Sequence, residues 1–144
     1  MLTNAELETA ASLRPVTAHL YCWADVFRRA FGPGIPSVPI EIAPLESPCL
    51  GRFRIREGFE ILIAEHHVQS AVVSGRWVDL CDTVAHEILH AWQYSRGAPT
   101  PGRHNAELRG KMYACGLIVS EEGYSLGHVP GGLFLRLLAE RGIR

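Results

Sequence analysis

The chain has 144 residues, of which 47% are hydrophobic and 20% charged, with a formal net charge of -1. That length suits one domain with one core, and the apolar fraction excludes a mostly disordered chain. The balanced charge argues against a generic polybasic nucleic-acid binder. There is no run of the ~18–20 apolar residues that a membrane span needs. The first twenty residues carry Glu6 and Glu8 and lack a basic start followed by an apolar stretch, so no secretory signal is read and the expected location is the cytoplasm.

Residues 3–13 read as a helix capped by Asn4, which Pro15 interrupts. Pro15 then opens a second helix, where its missing N–H is tolerated. This helix buries Val16, Leu20, Trp23, Phe27 and Phe31 at helical spacing and ends near Gly32-Pro33-Gly34.

The next stretch reads as sheet. Ile40 and Ile42 alternate with polar neighbours, as do Phe53 and Ile55 with Arg52, Arg54 and Arg56. Residues 59–64 (FEILIA) form a short β-rich run, and Glu57-Gly58 makes a turn, giving a hairpin over 51–64. Residues 71–78 (AVVSGRWV) read as a further short strand or loop.

A third helix starts near Asp79 or Asp82, runs to about Ser95, and is stopped by Gly97 and Pro99. Residues 98–104 are a turn-rich loop. A fourth helix covers about 105–119, with Leu108, Met112, Cys115 and Val119 on its apolar face. Residues 123–132 are Gly-rich and irregular, and a short helix closes the chain over about 132–141. Helix, sheet, then helices make an α+β domain spanning residues 1–144.

Cys22, Cys49, Cys81 and Cys115 are evenly spread with no C-x-x-C pair, which excludes a zinc ribbon. They read as free, mostly buried thiols, because a chain this long builds a core without disulfides.

The chemistry concentrates in His86-Glu87-Ile88-Leu89-His90, an H-E-x-x-H motif. On a helix, residues i and i+4 share a face, so the two imidazoles can hold one Zn²⁺. Glu87 beside them can take a proton from a water that the metal acidifies. A catalytic site needs a third protein ligand and an open fourth position. Gln93 and Arg96 stand where the metzincin extension requires Gly and His, which excludes that class. His104 is the candidate third ligand and Glu107, one turn further on, is its rival. If His104 ligates, Glu107 orients it or caps the helix.

Three segments carry a resemblance. Cys49-Leu-Gly51-Arg-Phe-Arg-Ile55, with the strand Glu60–Ala64 after it, is similar to the strand region of the SprT-like zinc metallopeptidase domain, the group that includes the Spartan proteases. Thr83-Val-Ala-His86-Glu87-Ile-Leu-His90-Ala-Trp92 resembles that family's metal helix, where His-Ala commonly closes the motif. Gly102-Arg-His104-Asn-Ala-Glu-Leu108-Arg-Gly-Lys-Met112 looks like its segment with a third His opening a helix. The match covers about residues 16–120 and departs at Leu108, where the family often has an aromatic residue. It implies a compact, zincin-like domain without the C-terminal zinc ribbon, of the kind a phage or a small bacterial protein could carry. By resemblance His86, His90 and His104 are zinc ligands, Glu87 is the catalytic base, and the activity is hydrolysis of peptide bonds in a protein or peptide substrate.

Other residues are candidates for secondary roles. Arg52, Arg54 and Arg56 share one face of a strand and could contact DNA phosphates or simply be a solvated edge. Tyr124, His128 and Arg103 are candidate donors to the oxyanion formed on peptide attack. His66 and His67 read as loop histidines, His19 as structural, and Trp92 as a core residue. Two readings of another class remain: a structural metal module, closed by Glu107 or His128 as fourth ligand, and a DNA-associated module that depends on the Arg strand.

Overall fold

The computed structural model describes residues 4–97 and 104–144, with only the backbone described for 5–12. The chain is α+β. In order it forms α1 (Asn4–Phe31), β1 (Ile40–Ala43), β2 (Gly51–Ile55), β3 (Phe59–Ala64), α2 (Glu65–Ser74), α3 (Val78–Ser95), α4 (Ala106–Ala114), β4 (Leu117–Val119), β5 (Ser125–His128) and α5 (Leu133–Glu140).

The main sheet has the order β1-β3-β2. β3 lies at its centre, parallel to β1 and antiparallel to β2. The central strand reads Phe-Glu-Ile-Leu-Ile-Ala, and its last four residues are all buried, as a strand with neighbours on both sides requires. β2 alternates, burying Phe53 while Arg52 stays exposed. The hairpin over 51–64 forms as the alternation implies, with Arg54 opposite Glu60.

α3 is the centre of the molecule. Apart from its first two and last two residues and Trp92, its side chains are buried, and it packs on α1, β2, α4, α2 and β3. Leu80, Val84, Ile88 and Leu89 supply its apolar surface at 0–1% exposure. Truncating such a side chain to Ala costs about 2–5 kcal/mol, so the metal-motif helix is seated firmly. Phe27 stacks on Phe31 and tilts against Phe134, which joins α1 to α5.

Four sequence expectations change. The first two helices are one: α1 runs through Pro15, whose ring is exposed between buried Leu13 and Val16. A proline in a helix removes one hydrogen bond, and here the packing of the flanking residues holds the helix across it.

Residues 65–74 are helix rather than loop or strand. Val72 and Val73 suggested a strand, but they face solvent, while His67, Val68 and Ala71 form the buried side. His66 and His67 are therefore helix residues.

The fourth helix ends at Ala114, not near 119. Gly116 turns the chain at φ 98°, a conformation that β-branched and bulky residues resist, and Leu117–Val119 leaves as β4. The segment expected to be irregular then supplies β5, which pairs antiparallel with β4. Among the described residues, no helix is long and apolar enough to cross a membrane.

Candidate metal centre

His86 and His90 sit one turn apart on α3, and His104 stands just before α4. Their Nε2 atoms form a triangle of equal sides: 3.2 Å from His86 to His90, 3.2 Å from His86 to His104, and 3.2 Å from His90 to His104. Each of these nitrogens carries either one lone pair or one N–H. With two states shared among three mutually touching atoms, at least one pair sets like against like. A cation at the shared point removes that conflict. Two nitrogens about 2.05 Å from one tetrahedral ion lie about 3.3 Å apart, close to the observed spacing. The three residues can thus hold a metal ion.

The surroundings explain why three rings from two segments meet. His90 is 1% exposed and lies nearly parallel to the Phe53 ring of β2, 6.0 Å away. His104 is placed from the α4 side. Asn105 caps α4 by accepting from the Leu108 amide at 3.0 Å. Gln93 of α3 donates to Asn105 Oδ1 and to Glu107 Oε1, each at 2.9 Å, and so ties α3 to the cap that follows His104. The Arg109 guanidinium donates to the His104 carbonyl at 3.0 Å.

Behind the His104 ring lies Gly123 of the β4–β5 turn. A Cβ built there would stand 2.7 Å from His104 Nε2 and 2.8 Å from Nδ1.

Glu87 is 5% exposed, adjacent to His86, and lines the same cleft. This cleft encloses about 610 Å³. One wall is Pro48–Arg52 and the other is the 121–125 segment, with the His triangle and Glu87 at the floor. Thr83 also reaches the cleft and packs its methyl group against Gly51, where β2 has no side chain. The Thr83 hydroxyl meets His67 Nε2 at 2.9 Å. Burial holds the His67 pKa below its ordinary value, against smaller raising contributions from Asp79 and Asp82.

The remaining candidates divide clearly. Glu107 is turned away, taken by Gln93 and lying 3.8 Å from Arg96, so it is not in the ligand group. His128 is not in that group either. Its Nε2 meets Asp82 Oδ2 at 2.5 Å, its ring tilts against Phe134, and it is not among the residues that line the cleft. Tyr124 does reach the cleft wall and is 64% exposed. Arg103 lies outside the described residues.

Arg52 is exposed at the cleft, Arg54 is paired with Glu60 at 2.6 Å, and Arg56 falls in the turn beyond β2. The three arginines are therefore not a uniform basic face. His66 Nε2 meets the Cys49 carbonyl at 3.0 Å, and His19 stacks on Trp23 with ring centroids 5.9 Å apart. Trp92 is half-buried between Arg96 and Lys111. Gln93, Gly123, Asp82 and Ser125 were not singled out from sequence for these roles. Only Asn105, a capping residue before an apolar helix, carried a local signal.

No protein-family model, no curated protein and no solved structure matches this chain.

Proposed function

We propose that this chain is a zinc-dependent metallopeptidase with a zincin-like, SprT-like catalytic domain. The observation that carries the reading is the equilateral Nε2 triangle of His86, His90 and His104, with Glu87 beside it on the floor of an open cleft. Three imidazoles suit zinc, and Glu107 and His128, which could have closed the coordination shell, are engaged elsewhere. That pattern favours a catalytic over a structural site.

His86, His90 and His104 would hold the zinc ion, which when bound would supply Lewis acidity and acidify a water. Glu87 does the proton work. Its carboxylate takes a proton from the attacking water and returns it to the leaving amine. Its burial withdraws it from bulk solvent, so the proton is kept for the leaving group. Tyr124, at the cleft wall, is the candidate donor to the oxyanion. Pro48–Arg52 and the 121–125 segment give the substrate chain two walls to lie between.

The test is hydrolysis of an unfolded protein such as casein by the zinc-loaded chain. Glu87→Gln should bind zinc and lose at least about a hundredfold in rate. Metal binding with no turnover on any unfolded substrate would leave a structural metal module. DNA affinity that falls steeply with salt and depends on Arg52 would instead favour the DNA-associated reading.

A further inference from the structure

We propose that Asp82 is a positioning residue of the metal site: it pins the β4–β5 hairpin to α3, and the pinned hairpin holds His104 in place. The inference rests on the metal-binding reading of the three histidines.

His86 and His90 are fixed by α3 itself. His104 belongs to a different segment, and its ring must be held from the side facing away from α3. Gly123 provides that backing. The turn that contains Gly123 is closed on itself: the Gly123 amide donates to the Ser120 carbonyl at 3.0 Å and the Ser120 amide to the Tyr124 carbonyl at 3.0 Å. The Tyr124 amide also donates to Ser120 Oγ at 3.1 Å. These bonds give the turn its shape but do not attach it to the metal helix.

Attachment comes from Asp82. Its Oδ2 accepts from Ser125 Oγ at 3.0 Å and meets His128 Nε2 at 2.5 Å, so both ends of β5 are tied to one buried carboxylate. Asp82 is four residues before His86 and lies on the same face of α3. The tie therefore acts on the side of the helix that presents the ligands. The hairpin's main packing is within itself and on α4, so the carboxylate is its strong polar tie to α3. A carboxylate 7% exposed is costly to bury unless it is bonded, and here its bonds reach only the hairpin that backs His104.

The test is zinc affinity by chelator competition, with the visible spectrum of the cobalt adduct as a second readout. It uses the full chain and the variants Asp82→Ala, His128→Ala and His128→Gln, with His104→Ala as the control that removes a ligand. Asp82→Ala and His128→Ala should remain folded by circular dichroism, bind zinc about tenfold more weakly, and alter the cobalt spectrum. His128→Gln keeps a donor for Asp82 and should restore most of the affinity.

Unchanged zinc affinity and an unchanged cobalt spectrum in folded Asp82→Ala would overturn the proposal while leaving the metal site standing. If Asp82→Ala does not fold, the His128→Ala and His128→Gln pair decides: equal affinities overturn it. A wild-type chain that binds neither metal overturns the metal reading itself, and this inference with it.

Discussion

The ring of His104 fills the space where a side chain on Gly123 would be: a Cβ there would come within 3 Å of both ring nitrogens. Gly123 also has φ 94°, which an L side chain rarely adopts. Gly123→Ala must therefore move the candidate ligand or strain the turn. We expect zinc affinity to fall about tenfold, with a stability loss of about 1–2 kcal/mol. Isothermal titration with zinc and a urea melt of the metal-free protein measure the two effects. An unchanged affinity would mean that His104 is not held by this contact.

Much of this architecture was legible from the chain. The i, i+4 spacing of His86 and His90 needs only a helix to become a shared face, and the apolar residues around them made that helix visible. His104 was legible as a candidate because of its place at the junction of a turn-rich loop and a helix. Its partners were not. Gly123 and Asp82 lie 19 and 22 residues from His104 in sequence, and only the β4–β5 hairpin, hidden in a Gly-rich stretch, brings them together. α2 was missed for a different reason. Its β-branched Val72 and Val73 carry a strand signature, but the buried side at His67, Val68 and Ala71 has helical spacing, and tertiary burial decides.

A metal held by three residues from two segments should stabilise the folded chain. Binding only to the folded state adds about 2.7 kcal/mol when free zinc exceeds Kd a hundredfold. For a chain of this size that corresponds to a rise in Tm of about 5–10 °C. Differential scanning calorimetry with zinc and with chelator reads the difference, and His104→Ala should lose the zinc-dependent part. Equal Tm values with and without zinc in the wild type would argue against binding to the folded state.

The thiols divide by environment. All four cysteines are free, as expected from sequence, but only Cys81 and Cys115 are buried; Cys22 is exposed and Cys49 half-buried at the cleft. Burial pushes the Cys81 thiol up to about 12, with nearby Asp82 adding to the shift, and burial also raises Cys115. A disulfide reagent such as Ellman's should therefore modify Cys22 and Cys49 in the native chain at pH 8, and all four only after unfolding. Rapid modification of Cys81 in the native state would contradict the packing of α3.

The Asp82–His128 contact also sets a pH dependence. The hydrogen bond to Asp82 is the main cause that raises the His128 pKa; burial opposes it, and the charges of Asp82 and Asp79 add to the rise. Because the folded value lies above the unfolded one, near 6.5, the stabilisation from this pair is fully present below about pH 6.5. It is lost as pH rises through the folded value. His67 acts in the opposite sense. Burial lowers its folded pKa, so the unfolded chain takes up that proton first and stability falls as pH drops below about 6.5. Comparing wild type with His128→Ala separates the His128 contribution from that of His67. In urea melts of the metal-free proteins, the wild type should be more stable by about 1–2 kcal/mol at pH 6, since a hydrogen bond between charged groups is lost in the variant. The gap should narrow as pH rises through the raised folded value and His128 loses its proton. A gap that stays constant from pH 6 to pH 9 would mean that His128 is not charged in the folded chain.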